Sequence, residues 1–176
     1  MQQPLDCLTV SRLSWDDLAR IEGFVTRCTD FFVLIEGAFD ATTAAHDLLQ
    51  DVPPGIDPGK KHVFAWEAGG EIAAVVDLIE GYPADRDWYV SLFLLAPERR
   101  GQGLGRTLWA EAEGWIRRAG GRTARLIVQH QNPAARRFWE AAGFAVEGET
   151  VQILPHRENP IWKLRKEIGA PSLTSH

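Results

Sequence analysis

Alternation of apolar and polar positions divides the chain into short strands and helices in close succession. Leu5 to Leu13, with Leu-Thr-Val-Ser-Arg-Leu, predicts a short first strand. Ser14 suits a helix cap, and Asp16 and Asp17 suit a first helical turn. Leu18, Ile21, Val25 and Cys28 then form a helical stripe, which Thr29-Asp30 is expected to break. Periodicity alone leaves the apolar run 31–35 open between helix and strand; helix, closed by Gly37, is favoured. Asp40 or Thr42 caps another short helix through Leu49, and residues 52–59 carry several turn signals. His62–Glu67 and Glu71–Glu80 predict a hairpin turning at Ala68-Gly69-Gly70.

After a turn at 81–87, Trp88–Leu95 is apolar almost throughout and predicts a strand buried on both faces. Pro97 cannot donate to a strand ladder and should end it. Leu104, Leu108, Ala112 and Trp115 have helical spacing, and Gly120-Gly121 stops that helix near Ala119. Residues 124–128 predict a short strand. Asn132-Pro133 then starts a helix whose buried face is Ala135, Phe138, Trp139 and Ala142, ended by Gly143. Phe144 to about Ile153 and Ile161–Lys166 predict the last two strands, with Pro155–Pro160 as a connector and 169–176 as a frayed tail. With no internal repeat or linker, residues 1–168 are expected to form a single domain.

Composition narrows the class. The chain has 176 residues, 45% of them hydrophobic, enough for one domain with a sizeable core. No apolar stretch is long enough to span a bilayer, and the first residues lack a signal-peptide pattern. Two cysteines are too few for a disulfide framework or a zinc site, so a cytoplasmic setting without a metal is expected. The net charge of −5 is unevenly spread. Residues 1–96 carry 6 basic and 16 acidic groups, whereas residues 97–125 carry 7 basic and 3 acidic. An acidic chain of this kind does not suit a nucleic-acid surface. Its acidic first half suits a cationic or amine partner, or only a solvated surface.

The basic block coincides with the turn between the apolar strand and the long helix. Gly101, Gly103 and Gly105 stand at every second position there, flanked by Arg99, Arg100 and Arg106. Glycine leaves the backbone open to close approach, and a helix N-terminus presents unpaired N–H groups and partial positive charge. The stretch reads as an anion cradle, most simply for a pyrophosphate. It is not the nucleotide-triphosphate loop, because Arg106-Thr107 stands where Lys-Ser/Thr is required. It is not the dinucleotide fingerprint either, because position 106 is not glycine.

Arg100-Gly-Gln-Gly103-Leu-Gly105 resembles the Q/R-x-x-G-x-G/A signature of the GNAT superfamily of N-acetyltransferases, which grip the pyrophosphate of acetyl-coenzyme A. Asn132-Pro-Ala-Ala135-Arg-Arg-Phe138-Trp139-Glu-Ala-Ala-Gly143-Phe144 resembles the second motif of that family. The resemblance covers residues 62–153. It implies an α/β (α+β) fold whose mixed, mostly antiparallel sheet of six to seven strands splays between the fourth and fifth, with flanking helices. It implies that acetyl-coenzyme A serves as cosubstrate and an amine as acceptor, in a monomer or homodimer. Backbone groups of Leu94, Leu95 and Ala96 would meet pantetheine. Arg100, Gly101, Gln102, Gly103, Leu104, Gly105 and Arg106 would hold the pyrophosphate. Asn132, Arg136 and Trp139 would line the far side.

One position departs from the family. Where it often has a tyrosine that protonates the departing thiolate, this chain has Trp139, whose indole N–H is not a useful proton donor at neutral pH. Trp139 therefore reads as a packing residue, and a non-catalytic acyl-coenzyme A-binding module is the alternative to an enzyme. A protonated amine must lose a proton before it attacks. Asp77, Glu80, Glu36 and His130 are the candidate bases, each with a surface or structural role as the ordinary alternative. A backbone amide near Leu95 is the candidate oxyanion donor. Trp88, Tyr82 and Tyr89 could wall an acceptor pocket or belong to the core.

Overall fold

A computed structural model gives the fold, and it describes residues 7–169. Seven strands form one sheet in the order β1-β2-β3-β4-β5-β7-β6. They are β1 (Thr9–Arg12), β2 (Lys61–Ala68), β3 (Glu71–Glu80), β4 (Asp87–Leu95), β5 (Thr123–Gln129), β6 (Ala145–Leu154) and β7 (Arg157–Glu167). Every neighbouring pair is antiparallel except β4 and β5. The helices are α1 (Leu18–Arg27), α2 (Thr29–Glu36), α3 (Ala41–Gln50), α4 (Leu104–Arg118) and α5 (Pro133–Ala141). The part of the first strand expected at Leu5 and Asp6, and the tail from 170 onward, lie outside the described residues.

Strand alternation sends side chains to two cores, one on each face of the sheet. Val63, Ala65 and Val75 pack with Ile21, Phe24, Val25 and Leu48 under α1–α3. Trp66, Ala74, Val76 and Leu78 pack with Leu104, Leu108, Ala112 and Ile116 under α4. Among the described residues no helix is long and apolar enough to cross a membrane.

Three local expectations are corrected. Thr29 and Asp30 do not end a helix; they open α2, and the single break is Cys28, at φ −96° and ψ 20°. An acidic residue in a first turn is favourable there, so Asp30 starts rather than stops a helix. The connector expected at 155–160 is only the turn Pro155–His156, because Arg157–Pro160 continue β7, where Pro160 O accepts from His130 N–H. Finally, β4 is not buried on both faces: Ser91 is exposed, and Leu92, Phe93 and Leu95 are half-buried. The reason lies in its neighbour. β4 and β5 pair only over Asp87–Tyr89 and Thr123–Arg125, and then separate.

Candidate functional site

That separation opens a cleft. A cavity of about 800 Å³ runs between Val90–Phe93 of β4 and Leu126–Gln129 of β5, then under α2, α3 and the Pro155–His156 turn. A bulge sharpens the bend of β4: Asp77 pairs with Leu92 and Leu78 with Val90, so Ser91 is the extra residue. Beyond the bulge Ala96 N–H still donates to Ala73 O of β3, at 2.9 Å. Strand alternation therefore turns the Leu95 backbone toward the open gap. The Leu95 carbonyl is already occupied, accepting from Arg100 Nε at 2.9 Å and from Cys28 Sγ at 3.7 Å. Its N–H lies on the side of β4 away from β3.

The glycine turn follows directly. A short 3₁₀ turn at Pro97–Arg99 leads to Gly101 (φ 71°) and Gly103 (φ 80°), left-handed conformations that suit glycine. Gly103 is the N-cap of α4, and no side chain caps that helix. Its first N–H groups are therefore open to an anion. A Cβ at Gly101 or Gly103 would project into open space, which is the room a phosphate needs. Gly105, the second residue of α4, has a packing role as well. A Cβ there would lie 3.2 Å from Phe138 Cε2, so this glycine lets α4 and α5 approach. Leu104 is buried in the core, and Arg106 is exposed beside the turn.

The Arg100 side chain, expected beside the anion, is engaged within the protein. Arg100 Nη1 donates to Asp30 Oδ2 at 2.6 Å while its Nε holds the Leu95 carbonyl. Its side chain thus ties α2 to the end of β4, and its hydrogen bond holds the Asp30 carboxyl below the usual range. Gln102 Nε2 donates to Glu98 O at 3.0 Å and so braces the turn itself.

Asn132 caps α5, accepting from Ala135 N–H at 3.2 Å, and lines the cavity. Arg136 is paired with Glu140 at 2.9 Å and lies 4.3 Å over the Trp162 ring, away from the cavity lining. Trp139 reaches the cavity but is only 7% exposed. It packs among Phe93, Trp109 and Phe144 at centroid distances of 5.6, 4.9 and 5.1 Å.

The candidate bases separate clearly. Asp77 lines the cavity and is 2% exposed. Its Oδ2 accepts from Lys61 Nζ at 2.6 Å, while its Oδ1 is buried without a hydrogen-bond partner among the described residues. Burial pushes the carboxyl up to about 6 against the opposing pull of Lys61. The nearby Ser91 side chain also lowers it, without hydrogen-bond geometry to Oδ1. Glu36 also lines the cavity, raised by partial burial and by Asp47.

Glu80 does not join them. It is held by Lys60 at 3.0 Å and His62 at 3.1 Å in a separate cleft beside Trp88, and the Lys60 hydrogen bond keeps its carboxyl low. His130 stacks on Trp162 at 4.0 Å, outside the cavity lining, although its Nε2 is buried and unpartnered. Tyr82 and Tyr89 wall the cavity in edge contact at 5.5 Å, and Trp88 belongs to the core on the other face.

Lys61 is the residue that sequence reasoning missed. Its position carried a signal, since Lys61 stands in phase with Val63 and Ala65, both inward-facing. A lysine in register with buried positions needs an anionic partner. The partner became visible only once the register brought Val63 opposite Asp77.

Comparison with known proteins agrees with this architecture. No curated protein matches the sequence. Similar solved structures include an acetyltransferase of the GNAT family from Desulfovibrio desulfuricans, with a TM-score of 0.72, 19% identity, and coverage of 93% of this chain and 100% of that one. The spermidine N-acetyltransferase of Vibrio cholerae gives 0.70 and 22% identity, covering 93% and 96%. The ribosomal-protein-S18-alanine N-acetyltransferase of Escherichia coli gives 0.66 and 20%, covering 96% and 99%. At these identities the likeness is one of fold. A family model described as the acetyltransferase (GNAT) family matches residues 27–144, from the end of α1 to the end of the second motif. The chain belongs to the GNAT family of acetyltransferases.

Proposed function

We propose that this protein transfers the acetyl group of acetyl-coenzyme A to a primary amine by direct attack, with Asp77 accepting the amine's proton. The observation that carries this reading is the buried, unpartnered Asp77 Oδ1 in the cleft opened by the parting of β4 and β5. The solved Vibrio cholerae relative, which holds coenzyme A and spermine, supports the choice of both substrates.

The open amides at Gly101, Gly103 and the start of α4 suit the pyrophosphate, with Arg106 supplying charge. Acetyl-coenzyme A supplies an acyl group on a good leaving thiol. The Leu95 N–H, on the side of β4 away from β3, suits the oxyanion, and a preorganised donor of this kind acts with little reorganisation. Asp77, ionised above about pH 6, can take the proton as the N–C bond forms and the C–S bond breaks. Trp139 supplies no proton. Tyr89 is also a poor acid, because burial raises its hydroxyl. The thiolate therefore leaves unassisted by either ring.

Two measurements test this. Acetyl-coenzyme A at about a hundredfold over its Kd should stabilise the native state by about 2.7 kcal/mol. In a chain of this size that is a rise of roughly 5–10 °C in Tm. No shift at millimolar ligand would count against the cradle. Steady thiol release with an amine would then exclude a module that only binds acyl-coenzyme A.

Trp139→Phe should keep turnover within about tenfold at saturating acetyl-coenzyme A, because no proton-transfer advantage is removed. Its cost should appear as about 1–3 kcal/mol of stability lost from the aromatic cluster. A hundredfold fall in turnover with the fold intact would show that the indole takes part in the chemistry. Trp139→Tyr is the companion test, and a basic pH limb with faster turnover would mark the position as an acid site.

A further inference from the structure

We infer that Lys61 is a positioning residue for this reaction: its buried ammonium fixes the Asp77 carboxylate and supplies the countercharge that lets it act as a base. This rests on the acetyl-transfer reading, with Asp77 as proton acceptor, and names the group that makes the acceptor competent.

The β2–β3 register brings the two residues together. Lys61 opens β2, and Val63 stands opposite Asp77 on β3. Lys61 is two residues from Val63, so its side chain leaves the same face and reaches Asp77 on the diagonal. Its Nζ donates to Asp77 Oδ2 at 2.6 Å and to the carbonyl of Asp51, the residue that follows α3, at 2.8 Å. The ammonium is thus anchored to the sheet and to the end of a helix at once. Among the described residues it is the one hydrogen-bond donor that the Asp77 carboxylate has. A carboxylate gripped at Oδ2 leaves Oδ1 as the oxygen free to take a proton.

The charge balance points the same way. Both side chains are buried, so water does not supply the countercharge. Burial raises the Asp77 carboxyl, and Lys61 is the strongest influence that lowers it. The other groups around Asp77 do not replace it. Ser91 on β4 lowers the carboxyl less, and Asp51 raises it. Tyr89 on β4 is itself raised, first by burial and then by Tyr82 and Asp77. Asp47 on α3 is raised by burial and by Asp51, and Lys61 draws it down. None of these groups carries a positive charge.

A buried lysine bonded to a helix-end carbonyl could serve the fold alone. Stability is a weak reason for such a pair, because desolvation of both charges offsets most of their attraction. The placement of the two residues is the observation that favours a role in the reaction. Asp77 lines the cavity and Lys61 stands behind it, outside the lining. The side that Lys61 holds is satisfied, whereas Oδ1 has no donor among the described residues. A pair that served only the fold would have no use for an unpaired carboxylate oxygen beside a cleft. Lys61 therefore acts through Asp77 and does not itself meet the substrates.

The test reads the whole protein in two ways across pH. The carboxyl carbon resonance of Asp77, assigned by its loss in Asp77→Asn, reports ionisation directly. Thiol release from acetyl-coenzyme A with n-butylamine reports the reaction. In Lys61→Met the titration of Asp77 and the acidic limb of kcat/KM should both move up by about 1–3 pH units, the influence of one adjacent charge on a carboxyl. Near neutral pH, kcat/KM should accordingly fall by about twofold to a hundredfold, and the deficit against wild type should close as pH rises. Lys61→Gln keeps a donor without the charge and covers the case of a methionine variant that does not fold; it should show the same upward movement. In the Asp77→Asn background Lys61→Met should cost the rate far less than it does alone, because the group it acts through is gone. A folded Lys61 variant whose Asp77 titration and acidic limb stay at the wild-type positions would overturn the inference. So would an equal loss of rate in both backgrounds at every pH, the mark of a purely structural lysine. A titration that moves while the limb stays in place would remove Asp77 from the chemistry, and the inference with it. If the wild type releases no thiol with n-butylamine, the acetyl-transfer reading is what fails, and the carboxyl titration still decides whether Lys61 governs Asp77.

Discussion

Asp77→Asn should lower kcat/KM by about 10²–10³-fold, the contribution expected of a positioned general base. Asparagine keeps the shape and keeps an oxygen for Lys61, but it cannot accept a proton. The wild-type profile should fall as pH drops through about 6, because the raised carboxyl is then protonated and no longer a base. In the variant that acidic limb should be gone. The limb matters because the substitution also touches the fold. Lys61 Nζ, in a buried side chain, loses its anionic partner, and breaking such a pair costs on the order of 3–5 kcal/mol. Loss of stability alone would lower the amount of active protein without changing the pH dependence of what remains. A folded Asn variant with the wild-type rate and an unaltered limb would remove Asp77 from the chemistry. Attention would then turn to Glu36, the other expected base that reaches the cavity.

Gly103→Val should weaken acetyl-coenzyme A binding by about a hundredfold while costing the fold only about 1–3 kcal/mol. The two effects have separate origins. Gly103 sits at φ 80°, which a β-branched residue adopts only under strain. That strain is the folding cost, since nothing lies within 4 Å of the added Cβ. The same empty space is where the bulk of valine would stand between the ligand and the first N–H groups of α4, which no side chain caps. Calorimetric Kd measured beside Tm separates the two terms. Gly103→Ala carries most of the strain with less bulk, so it should approach valine in Tm and wild type in Kd. If valine binds acetyl-coenzyme A as tightly as glycine, the phosphates lie elsewhere.

The chain itself determined the features whose causes are local. The hairpin at Gly69-Gly70, the strand ended by Pro97, the glycine turn into α4 and the Asn132-Pro133 start of α5 all appear where the residues placed them. Each follows from backbone permissiveness or from a cap acting over a few residues. The same locality explains why both family motifs were readable, since each lies within one turn and one helix. Only the tertiary structure decided what those pieces do together. Arg100 flanks the glycines in sequence, and only the fold pairs its side chain with Asp30, 70 residues away. Gly105 reads from the sequence only as part of the cradle, and the fold adds that a side chain there would meet Phe138. Glu80 and Asp77 stand three positions apart on one strand, so their side chains leave opposite faces, and only one of them enters the cleft. The buried Lys61–Asp77 pair depends on the β2–β3 register, and the cleft depends on β5 parting from β4 after three residues. Register and strand separation are set by the summed packing of two cores on the faces of one sheet, and no short stretch of chain contains that sum.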